Sequence, residues 1–430
     1  MKILISSHQH PSVRTFQSIL VEQLLSVLKQ KMDVEIIWVI YRPYKEKIVP
    51  SKTPQIKIVW MWEYNNAVEL LENLKPEIIL TDLTLFPPAY AFIIAGKYKK
   101  IPVASWIQYS ADLLISYNRT SNKFRNMKTL IERFSSNEIP GESIKKPFLR
   151  GTNYLHKLSF LFRTLLATKK NFFRALIELI PYIKYSLTIN APIDSRLSVD
   201  LIWLSNDSFI PYLTNAGLDK TKFVVTGDPT WDRNLIQKVK FDIKKNIGKI
   251  KVLLLPISLA EHGLWTWKEQ EHVFKSIVSK INDFSNDIEL KIKLHPSTSP
   301  LEIYRSWVNS INPKIPIFQK EELIEILATT DVVISYGVFS GGHIEPLIAR
   351  KPLILVDIIN DEKNIPLLSK TDFAKQCKEI SGLIPMIKET QSHEKTSEKK
   401  LEEFLRKISF RFDGKSAERL ADAIINVVKR

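Results

Sequence analysis

Apolar and polar positions along the first hundred residues follow two alternating rhythms. Lys2-Ile3-Leu4-Ile5-Ser6-Ser7 predicts a first strand, and the polar run His8-Gln9-His10-Pro11-Ser12 predicts the loop after it. Phe16, Ile19, Leu20, Leu24, Leu25 and Leu28 then recur at helical spacing. Residues 34–40 predict a second strand, 66–74 a short helix, and 77–80 a third strand ending at Thr81 and Asp82. Residues 89–98 predict a helix and 102–106 a fourth strand. Strands alternating with helices imply parallel βαβ units.

The rhythm breaks between about Tyr117 and Ser186. There Leu161-Phe162, Leu165-Leu166, Phe172-Phe173, Leu176-Ile177 and Ile180 recur at helical spacing, with Arg163, Lys169, Lys170, Arg174 and Lys184 among them. This predicts one or two basic amphipathic helices inserted into the first domain, and Pro181 favours two short ones. Two readings stay open for the stretch from Lys157 to Lys184: contact with an anionic membrane surface, or packing on the domain or on a second copy.

Alternation resumes with a strand at 199–204, a helix at 209–216 and a short strand at 223–225 that runs into Thr226-Gly227-Asp228-Pro229. The lysine-rich stretch 238–251 reads as an interdomain linker. A second set of strands follows at 252–255, 289–294, 332–335 and 353–356, separated by helices at 268–282, 323–328 and 343–349. Residues 394–400 read as a solvated charged stretch and 416–428 as a final helix with one apolar face.

At 430 residues the chain is too long for one core and suits two domains. An apolar fraction of 44% with 25% charged residues belongs to a globular protein. The single cysteine, Cys377, excludes an internal disulfide and cysteine-cluster zinc, and fits a reducing compartment. Lys2 is followed by only Ile3, Leu4 and Ile5 before Ser6, too short an apolar region for an export signal. The longest apolar stretch, near residues 83–95, is interrupted by Pro87 and Pro88, so no membrane-spanning helix is expected. The expected location is cytoplasmic, with the inner membrane face as a second option. A net charge of +16 either attracts polyanions or reflects a solvated basic surface.

In open α/β sheets, ligands bind outside the carboxyl ends of the strands. Those ends carry His8, His10 and Asp82 in the first half. In the second half they carry Ser258, Glu261, His262 and Gly263, then His295 to Thr298, then Tyr336 to Glu345. Polar strand ends on both halves point to a small-molecule cleft rather than a nucleic-acid platform. The most informative segment is Ser340-Gly341-Gly342-His343-Ile344-Glu345, which follows an apolar strand and opens a helix. Glycines let backbone N–H groups approach a phosphate, and a helix N-terminus favours negative charge. Ser340 can donate to the same phosphate, and Glu345 can accept from ribose hydroxyls; alternatively the glycines serve the turn and Glu345 is a first-turn helix acid. Asp228 before Pro229 is either a ligand or an ordinary turn former. No GxGxxG follows the first strand, which disfavours a dinucleotide oxidoreductase.

Thr226-Gly227-Asp228-Pro229, Leu294-His295-Pro296, the strand 331–335, Ser340-Gly341-Gly342 with Glu345, and Lys351-Pro352 together resemble the non-hydrolysing UDP-N-acetylglucosamine 2-epimerases and related GT-B transferases. The tail from Phe412 to Arg419 resembles the endings of CDP-glycerol glycerophosphotransferase-like and surface-polysaccharide proteins. The resemblance implies an α/β GT-B architecture: two Rossmann-like domains facing across a cleft, with the basic helical insertion at 117–190 in the first. The implied domains are 1–235 on the acceptor side and 236–412 for the nucleotide, with 413–430 crossing back to the first domain.

The epimerases carry an acid just after the strand equivalent to 103–106, where Ile107 and Gln108 stand here. This departure and the insertion favour transfer over epimerisation. The resemblance therefore implies a glycosyltransferase or polyol-phosphate transferase with a nucleotide-activated sugar as donor, building a surface or lipid-linked glycan. A sugar-nucleotide 2-epimerase is the alternative. His10, Asp82 and His262 are the candidate catalytic groups, His10 being either the base or a helix-capping loop histidine. His295, Ser340, Gly341, Gly342 and Glu345 are the candidate nucleotide-binding group, with His295 alternatively structural. Lys293 reads as facing solvent. No metal and no cofactor beyond the donor are expected, since a GT-B site can stabilise its leaving group without one. The partners expected are the nucleotide sugar, a glycan or lipid-linked acceptor and an anionic membrane surface, with no nucleic acid.

Overall fold

Successive residues of the first strand, β1 (Lys2–Ser7), part to opposite faces, and both faces are covered. Ile3 and Ile5 join one buried cluster and Leu4 another; Trp38 and Ile37 divide in the same way on β2 (Glu35–Ile40). Two apolar faces per strand require helices above and below, which is what βαβ crossovers deliver. The computed structural model describes residues 1–7, 10–11, 16–41, 55–84, 86–107, 146–186, 193, 195–236, 248–261, 265–296, 299–337, 341–359, 372–390 and 398–430. It divides into two compact units. Unit 1 holds the described residues up to Asp232 together with Lys407–Arg430, and unit 2 holds Arg233–Arg406.

Unit 1 is built on a 7-stranded parallel sheet. After β2 come β3 (Ile56–Trp60), β4 (Ile78–Asp82), β5 (Val103–Ile107), β6 (Leu201–Leu204) and β7 (Phe223–Val225). Their spatial order is β3-β2-β1-β4-β5-β6-β7, with Lys2 opposite Glu35 and Ile3 opposite Ile78. The order reverses between β1 and β4. β3 is absent from the sequence reading because Ile56-Lys57-Ile58 is too short and too charged to stand out.

α1 (Phe16–Lys31) covers one face through Leu20, Leu24 and Leu28. α2 (Ala67–Leu74) and α3 (Pro87–Lys99) cover the other. Asn66 caps α2 by accepting from the Glu69 amide at 3.0 Å, and Lys75 ends it in the left-handed region.

The insertion contributes α4 (Lys146–Lys169) and α5 (Phe172–Ser186). α4 belongs to the core of unit 1: Phe160, Leu161 and Leu165 are fully buried against α3. Its buried Thr164 hydroxyl accepts from the Ala67 amide at 3.0 Å, at the start of α2. The helix pair breaks at Lys170, which takes φ 52°, so the corner lies well before Pro181, which sits inside α5.

The chain returns to unit 1 at its end. α13 (Glu398–Ile408), which lies in unit 2 up to Arg406, buries Leu401, Leu405 and Ile408, while Lys399 and Lys400 in its first turn stay solvated. α14 (Ser416–Val428) lays Leu420, Ala421, Ile424 and Ile425 against α1 and the sheet. A polar latch fixes this return to α7 (Pro229–Ile236), which follows α6 (Phe209–Asn215) and β7. The buried Asp232 carboxylate accepts from the Gly414 and Ser416 amides at 2.9 Å each. Arg419 donates to the Thr226 carbonyl at 2.7 Å and forks onto Asp413 at 2.9 and 3.0 Å. Gly227, at φ 83°, leaves no room for a side chain, since a Cβ would overlap the Ser416 hydroxyl.

Unit 2 has a 6-stranded parallel sheet in the order β10-β9-β8-β11-β12-β13. These are β8 (Ile250–Leu255), β9 (Ile288–Lys293), β10 (Ile317–Phe318), β11 (Val332–Tyr336), β12 (Leu353–Val356) and β13 (Ala374–Cys377). α8 (Trp267–Asn282), opened by a Thr266–Glu269 capping box, packs with α9 (Leu301–Asn309) through Phe274, Tyr304 and Trp307. α10 (Leu323–Ala328), α11 (Gly341–Ile348) and α12 (Leu383–Thr390) complete the unit. The strand order again reverses between its first and fourth strands, β8 and β11.

Candidate functional site

A ligand crevice in a doubly wound sheet opens at the carboxyl ends of the strands where the order reverses. In unit 1 that point lies between β1 and β4, and in unit 2 between β8 and β11.

At the unit 1 point, β4 ends on Asp82, which is partly accessible. Burial pushes its carboxyl up to about 6, against the opposing pull of its hydrogen bond from Gln17. That bond is long, 3.5 Å, and the Gln17 carbonyl accepts from the Ser7 hydroxyl at 2.7 Å. The end of β1 thus orients the amide that faces Asp82. Tyr41, just after β2, is buried, and burial reinforced by the Asp82 charge pushes its hydroxyl upward. Lys157 of α4 lies over the rings of Tyr41 and Phe86 and is only 6% exposed. Burial pushes its amine down to about 8. This buried placement removes Lys157 from the membrane-facing stretch expected from sequence. His10 stands half-buried in the loop after β1.

At the unit 2 point, β11 runs through Ser335 and Tyr336 into Gly337, at φ 81°, where a side chain would strike Leu259. Gly341 and Gly342 open α11 beyond it. His343 anchors this helix: its buried Nε2 lies 2.8 Å from the Ser335 hydroxyl, which donates to the Leu255 carbonyl at 2.7 Å. The Ser335 proton is committed to Leu255, so His343 Nε2 is the donor. Burial pushes this imidazole down to about 4, leaving it neutral near pH 7. His343 therefore fixes α11 on β11 and β8.

Lys293 at the end of β9 does not face solvent. It is buried, with Nζ donating to the Leu294 and Gln319 carbonyls at 2.9 and 3.0 Å. Burial lowers its pKa, while Glu345 and then Glu321 and Glu322 oppose that shift. Glu345 on α11 and Lys293 on β9 thus share one electrostatic neighbourhood. His295, two residues further on, is exposed.

Beside them sits a proton-rich chain. The Gln270 amide donates to the Ile257 carbonyl and the Tyr304 hydroxyl, both at 2.8 Å, and reaches the Tyr336 hydroxyl at 3.1 Å. Tyr304 donates to Glu261 at 3.0 Å. Glu261 is held up at about 7 by burial, against hydrogen bonds from its own backbone amide, Tyr304 and Ser299. Its second oxygen has no partner among the described residues. A carboxyl near neutrality at a strand end can both give and take a proton.

Of the residues expected from sequence, Asp82 and His10 fall in unit 1, and His295, Gly341, Gly342 and Glu345 fall in unit 2. His262 and Ser340 lie outside the described residues. Asp228 caps α7, accepting from the Thr230 amide and hydroxyl at 2.8 and 2.6 Å, as a turn former does. Tyr304, Gln270 and Lys293 were missed as site residues. Glu261 was noted in the polar run after β8 without a role, whereas Tyr304 and Gln270 reach the site from helices with no motif. Among the described residues no three His, Cys, Asp or Glu side chains gather as a metal site would.

No family model and no curated protein matches the sequence. Solved structures do match along the whole chain. A UDP co-structure of MnaA from S. aureus aligns over 100% of this chain and 98% of its own, with a TM-score of 0.51 and 13% identity. UDP-GlcNAc 2-epimerase from Neisseria meningitidis, bound to UDP-GlcNAc, aligns over 99% and 100%, with a TM-score of 0.51 and 13% identity. The wall teichoic acid polymerase TagF, soaked with CDPG, aligns over 100% and 88%, with a TM-score of 0.54 and 12% identity.

The fold is GT-B. In GT-B terms, unit 1 and unit 2 are the two Rossmann-like sheets, each with its own reversal point, and α4 and α5 are helices added to the first.

Proposed function

We propose that this protein is an enzyme that transfers a sugar or polyol-phosphate group from a nucleotide-activated donor to a glycan or lipid-linked acceptor. The observation that carries this reading is the unit 2 reversal point. There the Gly341-Gly342 turn opens a helix anchored through His343, and the Lys293 ammonium on β9 feels the charge of Glu345 on that helix. N–H groups at a helix start and a nearby cation suit a diphosphate, and they stabilise the charge that grows on it as the donor bond breaks. Glu345 then accepts from a ribose hydroxyl.

Unit 1 supplies the acceptor side. The partly accessible Asp82, held near 6 and oriented through Gln17, is a base for an acceptor hydroxyl. His10 is the second candidate. Transfer is favoured over epimerisation because β5 ends in the buried pair Trp106 and Ile107, with Trp106 stacked on Trp203 at 5.1 Å. Ile107 and Gln108 stand in the sequence where the epimerase resemblance calls for a carboxylate.

Glu261 favours a second reading. An acid–base group near 7 on the nucleotide-side unit is what a 2-epimerase needs to eliminate and re-add a nucleotide. One experiment separates the two: incubation with UDP-GlcNAc and no acceptor, followed by product analysis. Formation of the manno epimer sinks the transferase reading. Calorimetry with UDP and CDP tests the donor site itself, with Gly341→Val expected to abolish binding in a folded protein.

A further inference from the structure

The corner between α4 and α5 presents an apolar surface that nothing described covers. Phe172, Phe173, Ile177 and Ile180 of α5 are 55%, 73%, 67% and 57% exposed, with Leu176 beside them. Ala175 and Leu179, on the opposite side of the same helix, are buried in the core. The exposed residues therefore form one continuous stripe. At the corner Phe172 meets Phe162 edge-on at 5.7 Å and Phe173 at 5.9 Å. A contiguous apolar patch of this kind marks an interaction site.

Charge identifies the occupant. Arg163, Lys169, Lys170 and Arg174 are all exposed around the corner. Glu178 is the one acid in residues 146–186, and it is engaged by the Tyr90 hydroxyl at 2.9 Å and by Lys169 at 3.2 Å. An apolar stripe collared by cations, its single acid neutralised, complements acyl chains beneath anionic headgroups. A second copy of the chain fits badly, because a two-fold contact would bring the same cations against each other.

We infer that the α4–α5 corner docks on an anionic membrane, with Phe172 and Phe173 at the acyl boundary and Arg163, Lys170 and Arg174 at the lipid phosphates. This goes beyond the transfer reaction and does not depend on it. It narrows the contact to the corner and the outer face of α5, since Phe160, Leu161 and Leu165 of α4 are buried in the core.

The test is sedimentation of the full chain with phosphatidylcholine vesicles, with and without phosphatidylglycerol, at low ionic strength. Wild-type protein pellets with the phosphatidylglycerol vesicles and is released by salt. Phe172→Ser with Phe173→Ser lowers partitioning by on the order of tenfold or more and leaves the protein folded by circular dichroism, since both side chains are more than half exposed. Arg163→Gln with Arg174→Gln removes the preference for phosphatidylglycerol. Wild-type protein left in the supernatant overturns the inference, as does a phenylalanine double variant that binds as well as wild type. A dimer seen by light scattering and lost in that variant, without vesicle binding, assigns the face to a second copy and also overturns it.

Discussion

The Lys157 ammonium lies 4.9 Å over the ring of Phe86, and the Tyr41 ring stands 5.3 Å from it on a second side. Aromatic faces stabilise a cation by their quadrupole, but less than a carboxylate does. Burial therefore dominates, and the amine is held down at about 8 from its ordinary 10.5. A lysine with a lowered folded pKa binds fewer protons folded than unfolded across that window. Stability accordingly rises as pH goes from 8 to 10.5. Lys157→Met is expected to flatten this rise and to raise stability near neutrality, where the buried charge is otherwise penalised, as read by urea denaturation across pH.

Glu261 gives the opposite slope. Its folded pKa is raised from 4.5 to about 7, so the folded state binds more protons across that window. Its contribution to stability is present below the window and lost as pH rises through it. Glu261→Gln should make the melting temperature less dependent on pH between those values. Tyr304→Phe removes the donor at 3.0 Å that favours the charged form, and should push the carboxyl higher still. A melting curve for Glu261→Gln that tracks wild type at every pH would contradict the assignment.

Lys293→Met should weaken UDP or CDP binding by about tenfold, or about 1.4 kcal/mol, with little change in fold. The methionine fills the same space without leaving a charge to solvate, and calorimetry reads the loss directly. Unchanged affinity would confine Lys293 to tying β9 to Gln319.

Asp232→Ala leaves the Gly414 and Ser416 amides without their acceptor and is expected to cost about 2–4 kcal/mol. Gly227→Ala forces a Cβ onto the Ser416 hydroxyl at a backbone angle that L-residues avoid, and should cost at least about 1–3 kcal/mol. Both are measured by denaturant unfolding, and the two losses should not add, because they break the same latch.

The architecture was legible where apolar runs are long. Ile3 to Ile5, Ile78 to Leu80 and Val332 to Ile334 declare strands that are buried on both sides. Ile56-Lys57-Ile58 and Ile317-Phe318 do not, because edge strands carry less apolar surface. Asp82 and the Gly341-Gly342 turn were legible from their places at strand ends. Gln270 and Tyr304 were not, because helical residues reach a site through tertiary packing rather than through local sequence. Lys293 was misread for a related reason: alternation assigns a residue to a face of a sheet, and both faces of this sheet are covered. Thr226 to Pro229 and Phe412 to Arg419, which looked like two separate motifs, are the two sides of one latch.

That latch bears on how the chain is made. Asp232 receives its partners from residues 182 and 184 positions further along, after the whole of unit 2 has been synthesised. One face of the unit 1 sheet stays partly bare until α14 has left the ribosome, whereas unit 2 has all its strands and its own core earlier. Unit 2 is thus free to fold first, and unit 1 closes its sheet face only once α14 has been made.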